Sequence, residues 1–299
     1  MNILQAIILG IVQGLTEFIP VSSTAHLIFA TKALDLFGGA GAQAQAEQTT
    51  AAIAVIQLGT LVAVLIYFAR DIWDICSAFV RDHITLLRGG TPPGVDGRGF
   101  LGSRLSHDAK LGWLIFLGSI PIGVLGLLFK KVIEGTLTKN LWVIATMMVV
   151  IALLLLVAEA VGRKRRGMED LGLGDAIIVG FSQCLALIPG SSRSGSTIMG
   201  GLLAGEKRET AARFSFLLSI PAVGASGLLE LKEAYHKLPH GNGVQLFVAT
   251  IVAGVVGYAS IWFLLNYLKR HSTGVFIGYR LVVGTLILIL LFRGVINPL

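Results

Sequence analysis

Charge is scarce in this sequence. Only 14% of its 299 residues are Asp, Glu, Lys or Arg, where a soluble domain carries roughly a quarter. Hydrophobic residues make up 54%. An integral membrane protein is therefore the default class. Cysteine is nearly absent too. Cys76 and Cys184 sit in unlike segments, with no Cys-x-x-Cys pair and no Cys/His spacing suited to zinc. That excludes a disulfide framework and a structural zinc site. No interleaved aromatic and basic motif interrupts the apolar runs, so the net charge of +7 carries no nucleic-acid reading. Basic residues are missing at the start, the first being Lys32. A secretory signal opens on a basic stretch and ends at a small-residue cleavage site. The N-terminal segment is therefore expected to be retained.

Long apolar runs are what the sequence has instead. A membrane-crossing helix needs about 20 apolar residues. Six stretches qualify: Ala51–Ala69, Leu111–Phe129, Leu141–Val161, Phe214–Leu231, Val244–Leu268 and Val275–Phe292. Two more apolar regions are interrupted. Ile3–Phe37 breaks at Ile19-Pro20-Val21-Ser22-Ser23, and Asp175–Ala204 breaks at Ile188-Pro189-Gly190-Ser191-Ser192. Each half is too short to cross. Proline interrupts the helical ladder, and the serines suit the cap of a following helix. Both regions are expected to be re-entrant helix hairpins, tolerated at membrane depth only where protein or a wet cavity covers the broken backbone.

The two breaks resemble each other, and three long runs follow each. An odd number of crossings turns the second copy over. The expected architecture is an all-α polytopic membrane protein, six transmembrane helices plus two re-entrant hairpins in an inverted-topology repeat. Residues 1–162 form one copy and 163–299 the other, and the breaks meet near the midplane. If Ala51 starts outside, sixteen of the 24 Lys and Arg fall in inside loops, Arg280 counted among them, and seven fall outside. The positive-inside rule then puts both termini outside. The Arg70–Lys110 segment is expected to be a flexible inside connector.

Arg193 lies in the second break, where a charge is expensive at membrane depth and points to function. Its bland reading is a structural ion pair with Glu17. Its richer reading is an anion clamp, because a guanidinium fork matches phosphate oxygens. Ser191, Ser192, Ser194 and Thr197 add hydroxyls, and the helix starting near Arg193 offers free N–H groups. Helix capping alone accounts for at least one serine of each pair. Taken singly, His26 is a hydrogen-bonded interior histidine and Glu17 a satisfied carboxylate. Taken together, Glu17, Ser22, Ser23 and His26 facing Arg193 supply an acid, a hydroxyl nucleophile, an imidazole and a clamp. Those are the parts of a phosphoryl-transfer site.

Both strings resemble the signatures of the undecaprenyl-diphosphate phosphatase family, the membrane enzymes linked to bacitracin resistance. One is the [E/Q]-x-x-x-E pattern with P-x-S-S-T-x-H, here Gln13, Glu17 and Pro20 to His26. The other is P-G-x-S-R-S-x-x-T, here Pro189 to Thr197. The likeness continues through AVIQLGTLVAV, DAKLGW, ARFSFLLSIPA and IGYRLVVG. It implies hydrolysis of undecaprenyl diphosphate to the monophosphate in a bacterial plasma membrane, recycling the carrier of cell-wall glycans. It also implies a divalent cation, Mg²⁺ or Ca²⁺, near Glu17, and a site open to the outer face. Bacitracin competes by sequestering the substrate, and a homodimer is admitted. Some members carry glutamate where this chain has Gln13, which leaves a two-carboxylate metal site in question.

In the expected mechanism Arg193, Ser192 and Thr197 hold the diphosphate, and Ser23, with Ser22 as the second choice, attacks the terminal phosphorus. His26 takes the hydroxyl proton or protonates a leaving oxygen, while Glu17 orients it or binds metal. Direct attack by water fits equally well. The competing class is a polyprenyl-phosphate transporter or flippase, since inverted repeats with broken helices are transporter architecture. A non-catalytic scaffold gives no reason for a buried arginine facing Glu17 and His26.

Overall fold

A computed structural model describes residues 1–34, 36, 42–93, 104–129, 140–237 and 243–298, with side chains described except at 42–47 and 228–237. Eleven α-helices are found among the described residues. They are α1 (Ile3–Phe18), α2 (Ser23–Ala33), α3 (Ala42–Tyr67), α4 (Ala69–Leu87), α5 (His107–Leu128), α6 (Leu141–Val161), α7 (Leu173–Cys184), α8 (Arg193–Leu203), α9 (Arg208–Lys237), α10 (Gly243–Arg270) and α11 (Gly274–Phe292). Among the described residues, the only β pairing is the isolated bridge between Arg166 and Glu206.

Five helices are long and apolar enough to cross a membrane: α5, α6, α10, α11 and the Gln48–Tyr67 part of α3. The sixth expected span, Phe214–Leu231, lies within α9 and runs beyond residue 227, outside the described side chains. Of the basic residues used to judge orientation, Arg98, Lys130, Lys131 and Lys139 also lie outside the described residues.

The connector expected over Arg70–Lys110 is corrected in its first half, which is helix α4. Its charged residues hid a helical period. Trp73, Val80, Ile84 and Leu87 are exposed along the helix, a pattern suited to the membrane–water boundary. Fully buried Asp82 accepts the Ser106 N–H at 2.8 Å, and Trp113 donates to His83 Nε2 at 3.1 Å. Both contacts fix α4 to the start of α5.

Small residues set the packing of the broken pairs. A Cβ on Gly10 of α1 would come within 2.5 Å of the Ala249 carbonyl on α10, and one on Gly180 of α7 within 2.5 Å of the Gly118 carbonyl on α5. Membrane helices have little hydrophobic drive to associate, so close backbone approach is the main source of packing energy. Around these contacts α3 packs on α9 and α10, α9 also on α5, and α6 on α11. The central core gathers Phe18, Phe68, Phe214 and Phe216 with Ile198 and Leu202. The Phe18 and Phe216 rings meet edge to face at 5.3 Å, tying α1 to α9 beside the breaks.

Candidate active site

Two short helix pairs carry the site. In each, the residue before proline is extended, Ile19 at ψ 134° and Ile188 at ψ 121°, as the proline ring requires of its predecessor. Each chain then turns through a serine with positive φ, Ser22 at 79° and Ser192 at 67°. Such values are rare for residues with a Cβ and are held only when the surroundings over-determine them. The next residue opens a helix: Ser23 opens α2 and Arg193 opens α8. The sequence pairing had set Ser23 against Ser192. The backbone sets it against Arg193, because the second loop holds Gly190 as an additional residue. Gly190 has φ 90°, and a Cβ there would come within 2.2 Å of the Ile144 carbonyl.

The two opening residues converge on one carboxylate. Glu17 Oε2 accepts from Ser23 Oγ at 3.0 Å and from Gln13 Nε2 at 3.1 Å. Glu17 Oε1 accepts from Arg193 Nη2 at 3.2 Å. The side chains of Arg193 and Glu17 are only 11% and 7% exposed, so the ion pair that the sequence offered as the alternative to a clamp is present and largely out of solvent. The pair is incomplete. Arg193 Nε is buried with no partner, and so is Gln13 Oε1. Buried polar atoms are nearly always bonded, so these two orphans beside Glu17 are the candidate donor and acceptor for a further polar partner.

The hydroxyls divide. Ser192 caps α8, its Oγ accepting from Gly195 N at 3.1 Å and lying 3.2 Å from Ser194 Oγ. Ser22 sits at the cap position of α2 without a side-chain cap bond, so capping explains only the second pair. Thr197 is fully buried, with its hydroxyl 2.8 Å from the Arg193 carbonyl and 2.5 Å from Ser215 Oγ. It braces α8 against α9. Ser191 is fully buried with an unpartnered Oγ.

His26 does not meet Ser23 or Glu17 through any of its ring bonds. Its Nδ1 donates to the Ser22 carbonyl at 2.7 Å, and its Nε2 lies 2.6 Å from the Tyr279 hydroxyl. Of the two roles expected of His26, taking the hydroxyl proton has no hydrogen bond to Ser23 behind it; that hydroxyl bonds Glu17.

Sequence reasoning also missed Arg280. It was counted with the inside loops, yet it lies in α11 and is fully buried. Its Nη1 donates to the Pro20 carbonyl at 3.3 Å, and its Nη2 to those of Gly190 at 2.9 Å and Ser191 at 3.1 Å. Its Nε reaches the Met148 carbonyl at 3.2 Å. One guanidinium thus satisfies loose carbonyls from both breaks and also reaches the backbone of α6. An arginine inside an apolar run was the available signal. A cleft of about 620 Å³ at the Arg165–Arg166 end mixes Lys110, Arg165 and Arg166 with Glu169 and Asp170, and no break residue lines it.

Helices able to cross a membrane, with a buried ion pair where two broken helix pairs meet, define a multi-pass membrane protein with a polar site inside it. The chain belongs to the family described as bacitracin resistance protein BacA, which it matches over residues 6–286. It is 49% identical to an undecaprenyl-diphosphatase of Syntrophobacter fumaroxidans, covering 98% of this chain and 99% of that one. It is 50% identical to one of Chloroherpeton thalassium, with 98% of each covered. A third, of Mycolicibacterium vanbaalenii, is 47% identical over 100% of both chains.

Proposed function

We propose that this protein hydrolyses undecaprenyl diphosphate to undecaprenyl phosphate and inorganic phosphate. The observation that carries the reading is the Glu17 carboxylate, bonded to Ser23 Oγ on one oxygen and to Arg193 on the other. A hydroxyl on a carboxylate, beside a guanidinium with a free Nε, unites a nucleophile, its base and an anion clamp.

The substrate's terminal phosphate lies against Arg193 and the N–H groups opening α2 and α8. Ser23 Oγ attacks the terminal phosphorus and its proton passes to Glu17. The bond from phosphorus to the bridging oxygen breaks, and that oxygen leaves with undecaprenyl phosphate. The leaving oxygen takes that proton from Glu17, so the carboxylate can then activate a water that attacks the phosphoserine phosphorus; Ser23 Oγ leaves with the water's proton and inorganic phosphate is released. Water activated directly by Glu17 gives the same products in one step. His26 holds the Ser22 carbonyl, next to the nucleophile, from the α2 side.

Glu17 and the free Gln13 Oε1 would supply protein oxygens, with the substrate's own oxygens, for the all-oxygen shell that Mg²⁺ or Ca²⁺ accepts. Among the described residues no cluster of three His, Cys, Asp or Glu is found, so the substrate must complete the shell. When bound, the cation would offset charge on the diphosphate.

The helix contacts support reading the fold as two inverted copies. α1 packs on α10 as α7 packs on α5, α3 packs on α10 as α9 on α5, and α3 meets α9 as α6 meets α11. Exchanging the copies carries this set onto itself. With both termini outside, the first pair hangs from the outer face, and the site opens there to lipid whose glycan has been transferred. Bacitracin protects the diphosphate from this site by sequestering it. The decisive experiment is phosphate release from undecaprenyl diphosphate by purified protein in detergent, with and without chelator. No release under either condition would remove the hydrolase reading and leave a transporter.

A further inference from the structure

We infer that Tyr279 is a positioning residue for the reaction, acting through His26 Nε2. The inference rests on the proposed phosphatase reading for its consequence, but on geometry for the contact.

The Ser22 carbonyl can only accept, so its bond of 2.7 Å puts the imidazole proton on Nδ1. In the neutral ring Nε2 is then an acceptor, and the Tyr279 hydroxyl 2.6 Å away is its donor. The two rings lie 5.6 Å apart and 17° from parallel. One bond to a carbonyl four residues back leaves an imidazole free to pivot about that bond. A second bond from another helix removes the pivot and fixes the plane of the ring, and with it the Ser22 carbonyl that the ring holds beside Ser23.

The anchor of that second bond is itself fixed. Arg280 follows Tyr279 on α11 and binds carbonyls of Pro20, Gly190 and Ser191. The tyrosine therefore stands at a set place relative to both breaks. Packing alone does not call for its hydroxyl. Tyr279 is 43% exposed on the outward side of α11, with Val275, Val282 and Leu286 exposed at helical spacing beside it. Phenylalanine would fill that place equally well. The partner shown for the hydroxyl is His26.

The test compares Tyr279→Phe in the native background and in His26→Ala, measuring phosphate release from undecaprenyl diphosphate by purified protein. Loss of orientation should lower kcat about 10-fold with KM changed less than about 2-fold. In His26→Ala the same substitution should lower the remaining rate less than about 2-fold, because residues acting through one contact are not additive. A native rate in Tyr279→Phe, or the same fold-loss in both backgrounds, overturns the inference. The second arm needs no turnover. With ¹⁵N-histidine labelling, the His26 Nε2 resonance should move in Tyr279→Phe while the Nδ1 signal stays that of a protonated nitrogen. An unmoved Nε2 resonance overturns the contact. Absence of phosphate release by the unsubstituted protein sinks the phosphatase reading instead, and the resonance still decides whether Tyr279 holds the histidine.

Discussion

Glu17 and Arg193 stand 176 positions apart in the chain and 3.2 Å apart in the fold. The contact joins the last turn of α1 to the first residue of α8, so the ionic pair exists only when the two broken helix pairs meet. Two charges largely out of water hold each other; in the proposed mechanism each is released to a different task when a phosphate arrives.

Arg193→Lys keeps the charge and loses the fork. Lysine offers a point charge where the guanidinium spans Glu17 and still leaves Nε free. Turnover should fall about 10²–10³-fold, the usual loss for a donor aimed at developing charge, with the protein still folded by gel filtration and helical signal. Native-like turnover in Arg193→Lys would remove the clamp from the mechanism.

Glu17→Gln separates chemistry from stability. The amide oxygen can still accept from Ser23, but it cannot take a proton, and it leaves Arg193 charged without a counter-ion. Breaking one side of a buried pair costs about 3–5 kcal/mol, so both thermal midpoint and turnover should drop. Removing both charges, as Glu17→Gln with Arg193→Gln, should restore much of the midpoint and none of the turnover. Recovery of phosphate release in the double variant would show that neither group acts in the chemistry.

Much of this site was legible in the sequence because its residues violate their surroundings. Serines, a glutamate and an arginine interrupt apolar runs, and prolines mark where the backbone breaks. The long helices were plain as unbroken apolar runs. What stayed hidden depends on direction. Ser23 turns to Glu17 and His26 away from it because α2 starts one residue after a serine with positive φ, which no spacing rule shows. Arg280 was hidden by sitting near the start of its helix, where a basic residue reads as a loop charge. Helix α4 was hidden because its charged face breaks up the apolar run.

Arg280 should be structural in its first effect. Its guanidinium satisfies carbonyls on both breaks, and methionine would leave them unbonded at a cost of about 1–3 kcal/mol for each one that stays buried. Arg280→Met should lower the thermal midpoint in detergent and the rate together. A native midpoint with abolished turnover would instead place the guanidinium on the substrate.

Glu206 gives a pH dependence with a definite sign. It lies in the turn between α8 and α9, fully buried, with both carboxylate oxygens unpartnered. Burial, and then the charge of Asp175, push its pKa from 4.5 up to about 8. The folded state therefore favours the neutral acid. The stability this confers is fully present below the ordinary value of 4.5 and is lost as pH rises to about 8. Glu206→Gln, which cannot ionise, should match the native midpoint at about pH 5 and exceed it at about pH 8.5. Parallel midpoints across that window would show that Glu206 is charged and has a partner.

The direction in which the site opens is tested by a single thiol. Ala25 would be the natural choice next to His26, but it is fully buried against Leu141 and Ile144. Thr24, one residue earlier and beside Ser23, is exposed. Thr24→Cys in a Cys76→Ser, Cys184→Ser background gives one reporter on the first break. With both termini outside, α1 and α2 hang from the outer face, and a membrane-impermeant thiol reagent added to intact spheroplasts should label it. Undecaprenyl diphosphate should protect it, since the diphosphate lies against the start of α2. Labelling that appears only after the inner face is opened would reverse the orientation and put the site on the side of the Arg163–Arg166 run.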